Sequence, residues 1–106
     1  MAFSEKTADL INQLVSAEYN NACKHFGDKY NSLHEGYAVL LEEIEEVDFE
    51  IKHILSYKND IWGFIKAETL EDYNLKAMKE YIYHAISELA QCAAVLKKMQ
   101  NTIFME

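Results

Sequence analysis

Apolar residues recur at steps of three and four along most of the chain, which is the spacing of one face of an α-helix. In the first stretch the pattern is carried by Leu10, Ile11, Leu14, Val15, Ala22 and Phe26. It predicts a first amphipathic helix from residue 3 to residue 26. The polar segment "GDKYN" (27–31) that follows contains a glycine and is typical of a break between helices.

A second helix is predicted to begin near Ser32, because Ser32 and Glu35 have the spacing of a capping box. The apolar residues then continue at steps of three and four through Tyr37, Leu40, Ile44, Val47, Ile51 and Ile54. The pattern predicts that the helix ends near residue 56, where the polar segment "YKND" (57–60) follows. The next segment, "IWGFIKAET" (61–69), has a glycine in its middle and is interpreted as a packed connector with one helical turn.

A third helix is predicted to begin where Thr69 and Asp72 can cap its first turn, and to run to about residue 99. Its apolar positions are Leu75, Met78, Ile82, Ala85, Leu89, Ala93 and Leu96. The predicted fold is therefore all-α, with three long helices and a short connecting helix or turn, in a single domain spanning residues 1–106.

Three long amphipathic helices expose more apolar surface than a chain of this length can cover by itself. Ala90, Ala93 and Ala94 would let another helix approach closely. We therefore predict that self-association completes the helical bundle, as a homodimer or a homotetramer.

Composition narrows the classes of partner and the compartment. The net charge is −8, with ten lysines and no arginine, which argues against direct nucleic-acid binding. No apolar run approaches the length that spans a bilayer, and charge appears early, at Glu5 and Lys6, so neither a membrane protein nor a secretory leader is expected. Cys23 and Cys92 lack the spacing of a zinc site. A cytoplasmic protein with reduced cysteines is predicted.

The stretch "LLEEIEEVDFE" (40–50) concentrates six carboxylates beside the apolar stripe of the second helix. Glu43 and Glu46 are three residues apart and share one flank, where two like charges repel unless a cation lies between them. On the third helix, Glu88 and Gln91 repeat this spacing with oxygen-bearing side chains. The pattern fits either a solvated acidic face or an oxygen-ligand site for a hard cation such as Mg²⁺.

The stretch "HEGYAVLLEEIEEVDFEI" resembles the second helix of MazG-like proteins in the all-α nucleoside triphosphate pyrophosphohydrolase superfamily. The superfamily pattern is E-E-x-x-E on one helix and E-x-x-D on a later helix. Glu42, Glu43 and Glu46 match the first block, and Glu88 matches the start of the second. The lead-in "KHFGDKYNSLHEGYA" is similar to that of short MazG-like proteins of phages and prophages. The second block departs from the pattern, because Gln91 stands where an aspartate is expected.

The resemblance implies a Mg²⁺ (or Mn²⁺) site formed by Glu43, Glu46, Glu88 and Gln91. It also implies that the three glutamates are the catalytic residues of an enzyme that converts a nucleoside triphosphate to a monophosphate and pyrophosphate. Without arginine, the phosphate charge would have to be met by lysines such as Lys24, Lys29 or Lys52. The neutral Gln91 leaves open whether the chain is an enzyme. The alternative is a degenerate, non-enzymatic relative that acts as a phage or prophage interaction or anti-defence protein.

Overall fold

A computed structural model describes residues 3–104 and shows three α-helices, α1 (Glu5–Phe26), α2 (Leu33–Lys66) and α3 (Asp72–Ile103). No strand is present in this part of the chain, so the all-α prediction is confirmed. The three helices form an elongated unit of 59 × 30 × 27 Å. Over residues 3–104, none of the helices is long and apolar enough to cross a membrane.

The first two helices begin with serine caps. The Ser4 hydroxyl accepts a hydrogen bond from the backbone N–H of Thr7 at 3.1 Å. The Ser32 hydroxyl likewise accepts one from the N–H of Glu35 at 3.1 Å, which confirms the predicted start of α2. The Glu35 carboxylate does not complete a capping box, because it accepts a hydrogen bond from the Asn31 side chain at 2.9 Å instead.

The predicted end of α2 is wrong. The helix continues through "YKND" and the predicted connector to Lys66, and only a short turn (67–71) separates it from α3. The reason lies in packing, because Ile54, Tyr57, Ile61 and Phe64 extend the three-and-four spacing and are partly buried. This burial outweighs the helix cost of Gly63, which is about 1 kcal/mol relative to alanine.

The predicted cap of α3 is also wrong. The N-cap is Glu71, whose backbone N–H donates to the Asn74 side-chain oxygen at 2.9 Å. The Asn74 amide in turn donates to the hydroxyl of Tyr57 on α2 at 3.4 Å. Thr69 instead lies in the turn, where its hydroxyl donates to the Phe64 carbonyl at 3.5 Å. The hydrogen bond between Asn74 and Tyr57 of α2 therefore favours a helix start at Glu71 over the predicted start at Thr69.

α2 and α3 pack side by side and run antiparallel, since Gly36 lies against Met99 at one end and Tyr57 bonds Asn74 at the other. Each helix contributes one line of buried or partly buried residues at steps of three and four, which we call its packed line. On α2 the packed line is Gly36, Leu40, Glu43, Val47, Glu50, Ile54, Tyr57, Ile61 and Phe64. On α3 it is Asn74, Met78, Tyr81, Ala85, Glu88, Cys92, Val95, Met99 and Thr102.

Of the six residues predicted to form the core stripe of α2, three are partly buried and three are exposed. Leu40, Val47 and Ile54 belong to the packed line, whereas Tyr37, Ile44 and Ile51 are exposed. The exposed residues lie one position further along the helix, which is a rotation of about 100°. The sequence pattern therefore mixed two neighbouring lines of the same helix.

The exposed line of α2 continues along the whole helix. Its large apolar members are Tyr37, Leu41, Ile44, Ile51, Leu55, Trp62 and Ile65. α3 has a similar exposed line one position after its packed line, with members Leu75, Ile82, Ile86, Leu89, Leu96 and Ile103. Because the helices run antiparallel, positions one residue later fall on the same side of the pair. We call this combined surface the open face.

α1 packs against α3, and its backbone does not come within 8 Å of α2 anywhere in residues 3–104. Near the C-terminal end of α1, the side chain of Asn101 on α3 donates to the Tyr19 hydroxyl at 2.6 Å and to the Asp28 carbonyl at 3.1 Å. The buried Thr102 hydroxyl accepts the N–H of Tyr30 at 2.9 Å and donates to the Lys98 carbonyl at 2.9 Å. A cleft is left between α1 and α2.

Two sequence expectations about apolar surfaces are corrected here. Ala90 and Ala94 are buried within the chain, so they do not form the free surface that was predicted for self-association. Most of the apolar stripe of α1 remains exposed, including Leu10 and Phe26. The radius of gyration is 17.6 Å, against about 13 Å for a compact domain of this length. The oligomer therefore stays a prediction. Its structural support is no longer the alanines but the apolar residues left exposed on α1 and on the open face.

Candidate metal centre

Three carboxylates from two helices converge at the middle of the α2–α3 contact. Glu43 and Glu46 extend from α2 and Glu88 extends from α3. One oxygen of each lies within 4.8 Å of the others. A single small cation can reach all three oxygens, so the structure brings together the three glutamates named from the sequence.

The helix positions explain the convergence. Glu43 and Glu88 are members of the packed lines and are partly buried, whereas Glu46 is exposed on the side that faces α1. A partly buried carboxylate normally needs a partner that satisfies its charge. No lysine or histidine lies within 4.0 Å of these three carboxylates in residues 3–104, whose ion pairs are Lys52–Asp48 and Lys76–Asp72.

Gln91 completes the group. With its amide nitrogen turned toward the acids, it donates to Glu43 Oε2 at 3.0 Å and to Glu88 Oε2 at 3.2 Å. The opposite rotamer would turn its carbonyl oxygen toward the same point. Gln91 can therefore bridge the two carboxylates when they hold only protons, or supply a neutral oxygen ligand when they surround a cation.

Burial and the close approach of like charges raise the pKa values of two carboxyl groups in this site. Burial, a hydrogen bond with Glu46 and the charges of Glu46, Glu43 and Glu50 raise the pKa of Glu88 to about 7. The pKa of Glu43 is also raised, mainly by burial and then by the charge of Glu46. Near neutral pH the group therefore retains a proton, shared between Glu88 and its neighbour Glu46, more readily than separate exposed carboxylates would.

More acidic side chains surround the three glutamates. A surface cavity of about 360 Å³ is lined by Glu42, Glu45, Glu46, Phe49, Glu50 and Glu88. Asp48, the sixth acid of the "LLEEIEEVDFE" stretch, instead forms an exposed ion pair with Lys52 at 2.8 Å. The acids of this stretch therefore divide into one set around a cavity and one ordinary surface pair.

The cleft between α1 and α2 adjoins the carboxylates. Its volume is about 640 Å³, and both Glu43 and Gln91 line it. Basic side chains also line this cleft, namely His25, Lys29 and Lys98. A ligand in the cleft would therefore contact the acidic group at one point and positive charge at others.

Lys98 is the most unusual of these basic residues, because it is only 4 % exposed. Its ammonium group lies 4.4 Å from the ring centre of Tyr30 and 5.9 Å from that of Phe26, and forms no ion pair within 4.0 Å in the described structure. The described residues contain no buried side-chain nitrogen without a partner, so burial falls on the aliphatic stem of Lys98 and not on an unsatisfied ammonium group. An anion in the cleft would lie near this positive charge, because Lys98 is one of the residues that line the cleft.

Sequence reasoning missed Lys98, although a signal was present. Glu88, Gln91, Val95 and Lys98 follow one another at steps of three, four and three, so they share one side of α3. Of the lysines suggested for a phosphate contact, Lys29 lines the cleft. Lys52 is paired with Asp48 on the outer surface, and Lys24 is not among the residues that line the cleft.

Two other groups beside the carboxylates respond to their charge. Burial, followed by the charges of Glu43, Glu88 and Glu46, raises the pKa of the Cys92 thiol. Burial, followed by Glu43 and Glu35, raises the pKa of the Tyr30 hydroxyl. Both groups stay neutral at physiological pH, so neither acts as a nucleophile or a charged ligand here.

The donor set fits a hard divalent cation. Three carboxylate oxygens and one amide oxygen are ligands that Mg²⁺ and Mn²⁺ accept, and the exposed side leaves room for water or phosphate oxygens. Burial is the largest cause of the raised pKa of Glu88, and a cation between the carboxylates would offset the smaller contribution that comes from the charges of Glu46, Glu43 and Glu50.

Comparison with known protein families, curated proteins and solved structures finds no match for this chain.

Proposed function

We propose that this chain is a MazG-like protein that binds a nucleoside triphosphate, or a related nucleotide, together with Mg²⁺ or Mn²⁺. In this proposal Glu43, Glu46 and Glu88 hold the cation, with Gln91 as a fourth, neutral ligand. The observation that carries it is the approach of these three carboxylates to within 4.8 Å at the edge of a 640 Å³ cleft. The family resemblance of the acidic stretch is a second, separate support.

The cleft has charges that suit a nucleotide. Lys98 and Lys29 would face the phosphates as point charges, and the cleft volume of about 640 Å³ falls within the range of small-molecule sites. Phe26 and Tyr30 provide aromatic surface in the same cleft. The base and the sugar are left open in this proposal.

For hydrolysis, a bound divalent cation would polarise the phosphates and lower the pKa of water. The protein's part is to position the phosphates against the glutamates and to supply positive charge from Lys98 and Lys29. Glu46 is the most exposed of the three acids and is the group that can accept a proton from an attacking water. Reaction would release a nucleoside monophosphate and pyrophosphate.

A non-enzymatic role is the second candidate, and Gln91 is the observation that favours it. A neutral amide holds a hard cation less strongly than the aspartate of the superfamily pattern. In this case the chain is a binding or phage-type interaction protein that retains the helical bundle. The proposed location is the cytoplasm in either case, consistent with the unpaired cysteines Cys23 and Cys92.

The two candidates are separated by measuring pyrophosphate release from a panel of canonical and modified nucleotides, with Mg²⁺ or Mn²⁺. For an enzyme we expect metal-dependent turnover that Glu43→Gln lowers by about 100-fold, because it removes a ligand that touches the cation. Gln91→Asp is expected to raise both turnover and metal affinity.

Glu80→Gln is the matched control, since Glu80 is an exposed acid of α3 that lines neither cavity. It should leave turnover unchanged. Turnover that survives Glu43→Gln would contradict the proposed site. Metal binding without turnover, in both wild type and Gln91→Asp, would support the binding protein over the enzyme.

A further inference from the structure

The open face is an apolar surface that runs along both α2 and α3 and that the described structure leaves uncovered. Its thirteen large apolar side chains are 39–58 % exposed. Together they present on the order of 1,000 Å², whereas a stable interface needs about 800 Å² from each partner. Scattered exposed apolar residues are common, but a continuous surface of this size along two helices marks an interaction site.

The α2 part of this face also contains two charged residues, Asp48 and Lys58. Both follow the same three-and-four spacing as the apolar members and are exposed. Asp48 lies five residues before His53 and Lys58 lies five residues after it. An antiparallel second copy of α2, related by a two-fold axis level with residue 53, would therefore place Asp48 opposite the partner's Lys58, twice in each dimer.

The apolar members obey the same symmetry. Six of the seven lie as far before residue 53 as another lies after it, which gives the pairs Leu41 with Ile65, Ile44 with Trp62, and Ile51 with Leu55, whereas Tyr37 has no counterpart. An apolar side chain thus meets an apolar side chain in each of these three pairs. Layers of this kind, at alternating steps of three and four, are those of helices that pack knobs into holes.

α3 is compatible with the same axis. His53 stacks on Tyr81 with ring centres 4.6 Å apart, so the axis crosses α3 near Tyr81. On the open face of α3, Leu75 and Ile86 lie six and five residues from Tyr81 on its two sides. The two-fold operation therefore brings Leu75 opposite the partner's Ile86 to within one residue.

We propose that a second copy of this chain covers the part of the open face centred on residue 53, with α2 antiparallel to α2 of the partner. The Asp48 carboxylate, which lies 2.8 Å from Lys52 of its own helix, also pairs with the partner's Lys58. The charges select this register, because a parallel pairing would set aspartate against aspartate and lysine against lysine. This dimer does not depend on the proposed nucleotide function, since the carboxylates and the cleft lie on the other side of the α2–α3 pair.

The register is tested by charge reversal, with the molecular mass measured by light scattering over a range of micromolar concentrations. Wild type should be a dimer. Asp48→Lys places lysine opposite lysine, and Lys58→Asp places aspartate opposite aspartate. Each is expected to raise the Kd for dimerisation by about tenfold or more. An equimolar mixture of the two variants should form a heterodimer with a Kd near that of wild type, as should the double variant with itself.

The matched controls are Asp60→Lys on α2 and Lys6→Asp on α1, which reverse exposed charges outside the open face. They should leave dimerisation unchanged, and circular dichroism should show equal helicity for all variants. The proposal is overturned by a monomeric wild type, which would leave the face to a different partner. It is also overturned if the single variants dimerise as well as wild type, or if the mixture is no tighter than its components.

Discussion

The two sides of the α2–α3 pair differ in what they leave unsatisfied. The side that faces α1 leaves charge unsatisfied, because Glu43, Glu46 and Glu88 lie close together and no lysine or histidine within residues 3–104 forms an ion pair with them. The opposite side leaves apolar area unsatisfied along two helices. The first kind of deficit is relieved by a charged ligand and the second by a protein surface. The same two helices can therefore serve two partners without competition between them.

The largest effect should come from satisfying the charge. Mn²⁺ or Mg²⁺ binds only the folded carboxylate group, so at 100 times its Kd it should raise the free energy of unfolding by about 2.7 kcal/mol. Differential scanning calorimetry measures this as a rise in Tm. Glu46→Gln should abolish the rise and Glu80→Gln should keep it. Equal metal-induced shifts in all three proteins would place the metal elsewhere.

The second effect is the dependence of stability on pH, measured in the presence of a chelator. The pKa of Glu88 is raised from 4.5 to about 7 in the folded state. Between these values the folded state binds more protons than the unfolded state, so stability falls as the pH rises. Glu88→Gln imitates the protonated carboxyl, and at pH 8 it should be more stable than wild type by about 1–3 kcal/mol.

Denaturant titrations at several pH values check this expectation. The advantage of Glu88→Gln should disappear toward pH 5, where the wild-type carboxyl is itself protonated. Glu80→Gln again serves as the control, with a pH profile like that of wild type. A Glu88→Gln variant less stable than wild type at pH 8 would show that the carboxylate is stabilised in the fold.

The smallest effects concern the two glycines of α2, of which Gly36 lies in the contact with α3 and Gly63 is exposed. A Cβ at Gly36 would lie 2.7 Å from Met99 Cγ and 3.0 Å from Tyr30 Cδ2, whereas a Cβ at Gly63 would meet nothing within 4 Å. Gly36→Ala should therefore lower the free energy of unfolding by about 1–2 kcal/mol through overpacking. Gly63→Ala should raise it by about 0.5–1 kcal/mol through helix propensity.

Each glycine variant controls for the other, since the substitution and the helix are the same. Chemical denaturation followed by circular dichroism measures both. Changes of the same sign in both variants would show that propensity, and not the close approach of α2 to α3, governs the two positions.

Particular residues show which helix ends and which site residues could be predicted from the sequence. The start of α2 at Ser32 was predictable because a cap depends on residues only three positions apart. The pairing of Glu43 with Glu46 was predictable for the same reason. The end of α2 was not, because polar residues and Gly63 argued locally for a break that packing against α3 overrides. Glu88 was singled out by its spacing with Gln91 and by the family motif, but its approach to α2 was not predictable, since nothing local ties it to that helix.

The sequence by itself determined that the chain forms three long helices and that acids and apolar residues alternate along them, because these properties depend on neighbours within a turn or two. Only the tertiary structure decided which of two adjacent lines on α2 is packed and which is open. Both lines repeat at steps of three and four, so periodicity cannot distinguish them. Contact with α3 does, and that rotation of about 100° sets the carboxylates against α3 and leaves the apolar line outside.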